Sequence, residues 1–86
     1  MRFFADVQYG GDSFPAGSEI AFVGDDWNDK ISSIQIPPGK MLVIYQDANF
    51  GGESLTLTEN VVDLRTIIGP GPDGTWNDVV SSFKIY

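Results

Sequence analysis

Apolar residues fall in short runs along this chain, and the runs come in matching sets. Residues 31–36 and 80–86 are apolar or alternating, and so are residues 41–45 and 53–57. Short runs rich in β-branched and aromatic residues, bounded by Gly, Pro, Asn and Asp, predict strands. Within two of them Ser32, Ile34 and Ile36 share one parity, as do Ser81, Phe83 and Ile85. If the apolar members face the core, each serine sits on that face at its strand's loop end. Gly10-Gly11 and Gly51-Gly52 supply the positive φ that tight hairpins need. One segment departs from this pattern. Across residues 59–68, Val61, Leu64 and Ile68 have helical spacing, with Thr58 as N-cap and Gly69 as stop. These signals predict one short helix.

The pattern also repeats in residue identity. Trp27-Asn28-Asp29-Lys30-Ile31-Ser32-Ser33-Ile34 recurs as Trp76-Asn77-Asp78-Val79-Val80-Ser81-Ser82-Phe83. Upstream of each octet, Phe4-Ala5-Asp6-Val7-Gln8-Tyr9-Gly10-Gly11-Asp12-Ser13 matches Tyr45-Gln46-Asp47-Ala48-Asn49-Phe50-Gly51-Gly52-Glu53-Ser54. Pro37-Pro38-Gly39 cannot continue a sheet ladder and marks the boundary. Two copies of about forty residues suit a pseudo-symmetric domain rather than a solenoid. The expected organisation is one domain, 1–86, with a first motif over about 1–38 and a second over about 39–86.

Composition narrows the function. The chain has 86 residues, 42% of them hydrophobic and 13% aromatic, which fits a small packed domain rather than a disordered segment. There is no cysteine to staple it, and bound metal is one other source of stability for so small a domain. Twelve acidic against five basic residues give a net charge of -7. That balance argues against nucleic acid, which needs clustered Lys and Arg, and is compatible with cations. No apolar run approaches a membrane span, and the N-terminus lacks a basic region followed by an apolar core. The chain reads as soluble and monomeric, with its compartment and protein partner unassigned. With neither His nor Cys, no Ser-His triad or thiol nucleophile can be built. Nor does any feature place two carboxylates across a cleft for glycosidic chemistry. The chain does not read as an enzyme.

The octets carry the candidate chemistry. Calcium takes six to eight oxygens at flexible distances. Asn and Asp offer a carboxamide and a carboxylate on short stems, Ser a hydroxyl, and the turn its backbone carbonyls. One such loop cannot complete a shell, so a second segment or water must contribute. Zinc is disfavoured without His or Cys, and magnesium suits irregular carbonyl-rich loops less well. A single Asn-Asp at a strand entry is an ordinary Asx-turn signal. Two copies, each following a Trp and each paired with an aromatic-Gly-Gly-acid-Ser hairpin, tip the balance toward metal. The tryptophans read as core aromatics. The Gly pairs read as turn formers, because no helix or Lys follows as a phosphate-binding loop requires.

Both halves resemble the Greek-key motif of the βγ-crystallin superfamily, whose hairpin carries an aromatic and then aromatic-x-Gly-x-Ser. Phe4, Tyr9, Gly11 and Ser13 match it, as do Tyr45, Phe50, Gly52 and Ser54. The octets resemble the calcium motif of microbial and invertebrate members, (Asn/Asp)-(Asn/Asp)-x-x-(Ser/Thr)-Ser, at Asn28, Asp29, Ser32 and Ser33 and at Asn77, Asp78, Ser81 and Ser82. The resemblance implies an all-β fold: two intertwined Greek-key motifs form a two-sheet sandwich of about eight strands, with the short helix in the second motif. It further implies two calcium ions at one end, with ligands shared between the loops. Asp29 and Asp78 would supply carboxylates, and Asn28 and Asn77 would ligate or brace the loops. Lys30 and Val79 would give main-chain carbonyls, and Ser32 and Ser81 hydroxyls. The carbonyl that follows the first hairpin aromatic maps to Ala5 and Gln46. The expected function is calcium binding that stabilises the fold. The alternative is a protein- or glycan-binding or inhibitor module in which calcium is only structural.

Overall fold

Each half of the chain builds one small antiparallel sheet, and then lends a segment to the other half's sheet. The computed structural model describes all residues, 1–86. Its strands are β1 (Arg2–Asp6), β2 (Gly10–Pro15), β3 (Ser33–Gln35), β4 (Leu42–Asp47), β5 (Gly51–Leu57) and β6 (Ser82–Ile85). One sheet has the order β2-β1-β3 and the other β5-β4-β6, with every pairing antiparallel. Hairpins β1–β2 and β4–β5 fall on the two aromatic-Gly-Gly segments, and β3 and β6 continue the two octets.

The exchange is carried by single bridges. Ile20, from the first half, bridges Phe83, through two hydrogen bonds of 3.0 Å. Val61, from the second half, bridges Ile34, through bonds of 2.9 and 2.8 Å. The next groups along each lent segment bind elsewhere. The Ala21 carbonyl accepts from Asn49 N–H at 2.6 Å, and the Val62 carbonyl from Gln8 N–H at 2.7 Å. Both acceptors therefore serve the opposite hairpin's tip rather than a strand ladder. This explains why the sandwich has six strands instead of the eight expected. The fourth member of each sheet is one bridge long.

The expected helix over residues 59–68 is absent, and only a 3₁₀ turn at Leu64–Thr66 forms there. Its backbone is engaged by the first sheet. Val61 exchanges both its bonds with Ile34, and Leu64 N–H donates to the Ser32 carbonyl at 2.8 Å. Asn60 Oδ1 accepts from Ile36 N–H at 2.6 Å. An α-helix capped at Thr58 would need the Val61 carbonyl and the Leu64 N–H for its own i→i−4 bonds. The β-branched residues Val61, Val62, Thr66, Ile67 and Ile68 give it little intrinsic support. The turn is instead capped by Asp63, which accepts from Arg65 N–H and pairs with its guanidinium at 2.8 Å.

The core lies between the sheets. Phe3, Ile31, Ile34, Leu42, Ile44, Leu64, Val80 and Phe83 are fully buried. The rings of Phe3, on β1, and Phe83, on β6, stack at 4.4 Å across the interface. Trp76 is buried in this core and Trp27 packs against it, its ring edge-on to Phe14 at 4.6 Å.

The hairpin tips are more strained than the glycines alone suggest. Gly11 and Gly52 are left-handed, but so are Gln8, Tyr9, Asn49 and Phe50, with φ of 57° to 59°. Each such residue costs about 1–2 kcal/mol without compensation. The second serine of each octet supplies it. Ser33 Oγ accepts from Tyr9 N–H at 3.0 Å and donates to the Asp6 carbonyl at 2.6 Å. Ser82 Oγ does the same for Phe50 N–H and the Asp47 carbonyl, at 3.0 and 2.6 Å. Both serines are fully buried. Ser82→Ala leaves a buried donor and acceptor unpaired, and is expected to lower stability by about 2–3 kcal/mol. Urea unfolding measures this, and a midpoint equal to the parent's would show that the clamp contributes nothing.

Candidate functional site

The octets enter their strands through mirrored backbone contacts. Asp29 N–H donates to the Val80 carbonyl at 3.3 Å, and Asp78 N–H to the Ile31 carbonyl at 3.1 Å. Each loop therefore leans on the other half's strand entry. Asp29 and Asp78 both sit at φ 59°, a conformation Asp tolerates better than most residues. Two side-chain bonds cross between the loops as well: Ser81 Oγ donates to Asn28 Oδ1 at 2.5 Å, and Ser32 Oγ to Asp78 Oδ1 at 3.0 Å.

Beside this junction opens a cleft of about 490 Å³, lined by Asn28, Asp29, Gln46, Asp78, Val79 and Ser81 among others. Six of the ten expected site residues are thus brought together. Ala5 and Lys30 share a different cleft, with Asp12, Ser13, Asp26 and Trp27. Ser32 is occupied with Asp78. Asn77 keeps its amide oxygen buried and without any hydrogen-bond partner.

Asp47 also lines the main cleft, and sequence reasoning did not name it as a site residue. The signal was present, because Asp47 matches Asp6 within the upstream repeat. Gly52 makes its placement possible, since a Cβ there would lie 2.7 Å from Asp47 Oδ2. The remaining wall is formed by Phe22, Ala48, Pro70, Gly71 and Pro72. None of these had a motif to mark it.

The cleft is electrostatically one-sided. Asp29, Asp47 and Asp78 line it, and no Lys or Arg does. The Asp29 carboxyl is pushed above its ordinary value, chiefly by partial desolvation. The Ser81 hydroxyl acts in the opposite sense, while Asp78 and Asp47 add repulsion. A carboxyl raised in this way disfavours the fold when ionised. The penalty is absent below the unfolded-state pKa and grows as pH rises through the folded one. No three acidic, imidazole or thiol groups converge closely enough to cage a metal by themselves. The donors are mixed: carboxylate, carboxamide, hydroxyl and main-chain carbonyl. That set suits a large hard cation with flexible coordination and excludes a thiolate- or imidazole-loving one.

Comparison with known proteins agrees with the architecture. The model of the Beta/Gamma crystallin family matches residues 1–69. Development-specific protein S of Myxococcus xanthus is 29% identical over 68 residues, 79% of this chain, and the match covers 34% of that protein. The chain thus spans about a third of this curated relative. A double mutant of a betagamma-crystallin domain from Clostridium beijerinckii superposes with a TM-score of 0.80 at 30% identity, covering 99% of this chain and 93% of that one. A betagamma-crystallin from an archaeon gives 0.79 at 31% identity, covering 96% and 92%. A domain from Flavobacterium johnsoniae gives 0.80 at 28% identity, covering 99% and 91%. With its two exchanged antiparallel sheets and a family match over most of its length, this chain belongs to the βγ-crystallin family.

Proposed function

We propose that this βγ-crystallin domain binds two calcium ions through its paired octets, that calcium stabilises the fold, and that it has no catalytic step of its own. The observation that carries the reading is the cleft that Asp29, Asp47 and Asp78 line together with Asn28 and Ser81, without a cationic side chain. Asp29 and Asp78 are the candidate carboxylate ligands. Ser81 and Ser32 offer hydroxyls, Asn28 and Asn77 carboxamides, and Ala5, Gln46, Lys30 and Val79 main-chain carbonyls. The unpartnered Asn77 oxygen is the kind of buried acceptor that a cation or an ordered water satisfies. When bound, calcium would offset the local negative charge and tie loops from both halves together.

The alternative, a protein- or glycan-binding module with calcium only structural, gains no support from surface aromatics. The large exposed aromatics are Phe22 and Tyr86. Phe22 belongs to the cleft, whereas Tyr86 pairs by backbone with Met41 at the far end of β4.

Calorimetric titration of the chelator-stripped chain tests the proposal, with a stoichiometry of two expected. Asp29→Asn is expected to weaken binding roughly tenfold or more, a loss of about 1.4 kcal/mol. In chelator at neutral pH the same variant should melt no lower than the parent, because it removes a disfavoured charge. Absence of calcium-dependent heat in the parent would overturn the reading.

A further inference from the structure

Resting on the calcium reading, we infer that the two sites are unequal: the cleft containing Asn28, Asp29, Gln46, Asp47 and Ser81 fills first. The octets share the same Trp, Asn, Asp and two Ser, yet their surroundings differ in three respects.

The first difference is openness. Hairpin β4–β5 brings Gln46 and Asp47 to the same cleft as Asn28, Asp29 and Ser81. Their counterparts in the repeat are Ala5 and Asp6, from hairpin β1–β2, with Asn77, Asp78 and Ser32. These do not share a cleft: Ala5 opens beside Asp12, Asp26 and Trp27, whereas Asp78 lines the first cleft.

The second difference is hydrogen bonding. At the open site the Ser81 hydroxyl is held by the neutral amide of Asn28 and also faces the Asp29 carboxyl. At the other, the Ser32 hydroxyl is held by the Asp78 carboxylate alone. Three donors, Asn28, Asp29 and Ser81, are thus already gathered at the first site, and two, Ser32 and Asp78, at the second. The Asn77 oxygen, buried and without a hydrogen-bond partner, is not joined to that second set.

The third difference is the wall. The connection from Ser54 to Trp76 is longer than that from Ser13 to Trp27, and it includes the loop of residues 69–74. The loop is closed by Gly69 N–H to the Gly74 carbonyl at 3.0 Å and by Gly71 N–H to the Thr75 carbonyl at 2.9 Å. It packs so closely that a Cβ on Gly71 would meet Val79 Cγ2 at 2.7 Å. Pro70 and Pro72 thereby form a stiff side of the first cleft. A site whose walls and donors are already placed loses less ordering entropy on binding.

The experiment is a site-resolved amide NMR titration of the chelator-stripped chain with calcium chloride. The amide signals of Gln46 and Asp47 should complete their shifts at calcium concentrations roughly tenfold below those that move Ala5 and Asp6. Asp47→Asn should delay the early shifts and leave the order of the late ones unchanged. Asp6→Asn should affect only the late ones. Both side chains are exposed, so neither change threatens the fold. Simultaneous or reversed shifts in the parent would overturn the inequality while leaving calcium binding intact. If no signal moves, the calcium reading itself fails and takes the inequality with it.

Discussion

In millimolar calcium the domain is expected to unfold at least ~10 °C above its midpoint in excess chelator, with a scan-rate-independent transition in both states. A ligand that binds only the folded chain, present at a hundred times its Kd, stabilises by about 2.7 kcal/mol per independent site. In a domain of this length each 1 kcal/mol moves the midpoint by about 4–8 °C. The effect should be large here because the apo cleft works against the fold: Asp29 is held partly desolvated and repelled by Asp78 and Asp47. It should also be reciprocal between the halves. Asp29 leans on Val80 and Asp78 on Ile31, so ordering one loop braces the strand entry of the other. Paired calorimetric scans with calcium and with EDTA decide the matter, and coincident midpoints would rule out calcium as a stabiliser.

Phe83→Ala is expected to be the most damaging single change. Phe83 is fully buried, stacks on Phe3 and lies within 6.4 Å of the Phe14 ring. Its backbone also holds the exchanged Ile20 segment. Truncating a buried Phe costs about 3–5 kcal/mol, while native domains hold roughly 0.05–0.15 kcal/mol per residue in total. The variant should therefore be largely unfolded in chelator by circular dichroism and partly rescued by calcium, which shifts the equilibrium toward the native form. A cooperative melt within a few degrees of the parent's would show that this stack is not the keystone of the two sheets.

These two expectations draw on different layers of information. The strands were legible because a half-buried strand writes its period directly into the sequence: residues 41–45, 53–57, 31–36 and 80–86 all contain strand in the structure. The helix was misread for the complementary reason. Val61, Leu64 and Ile68 do have helical spacing. Val61 and Leu64 turn inward because they pair with and pack on the first sheet, while Ile68 is 90% exposed. Periodicity reports which residues are apolar and not which backbone groups a distant strand will claim. Eight strands became six by the same route, as the Ala21 and Val62 carbonyls went to opposite hairpin tips.

The candidate site divides along that line too. The duplicated octets, the hairpins with their Gly pairs and the identity of the oxygen donors are local properties, and the sequence alone determined them. Which donors meet was decided only by the tertiary structure. Asn28 reaches Ser81, and Ser32 reaches Asp78, because the two halves exchange segments and set both loops at a common junction. Asp47 joins Asp29 because hairpin β4–β5 opens onto that junction, whereas Ala5 faces another cleft. A repeated motif places the same Asn, Asp and Ser donors in its two copies. It cannot fix equal surroundings, because packing depends on unequal connections, and here the longer one walls a single side.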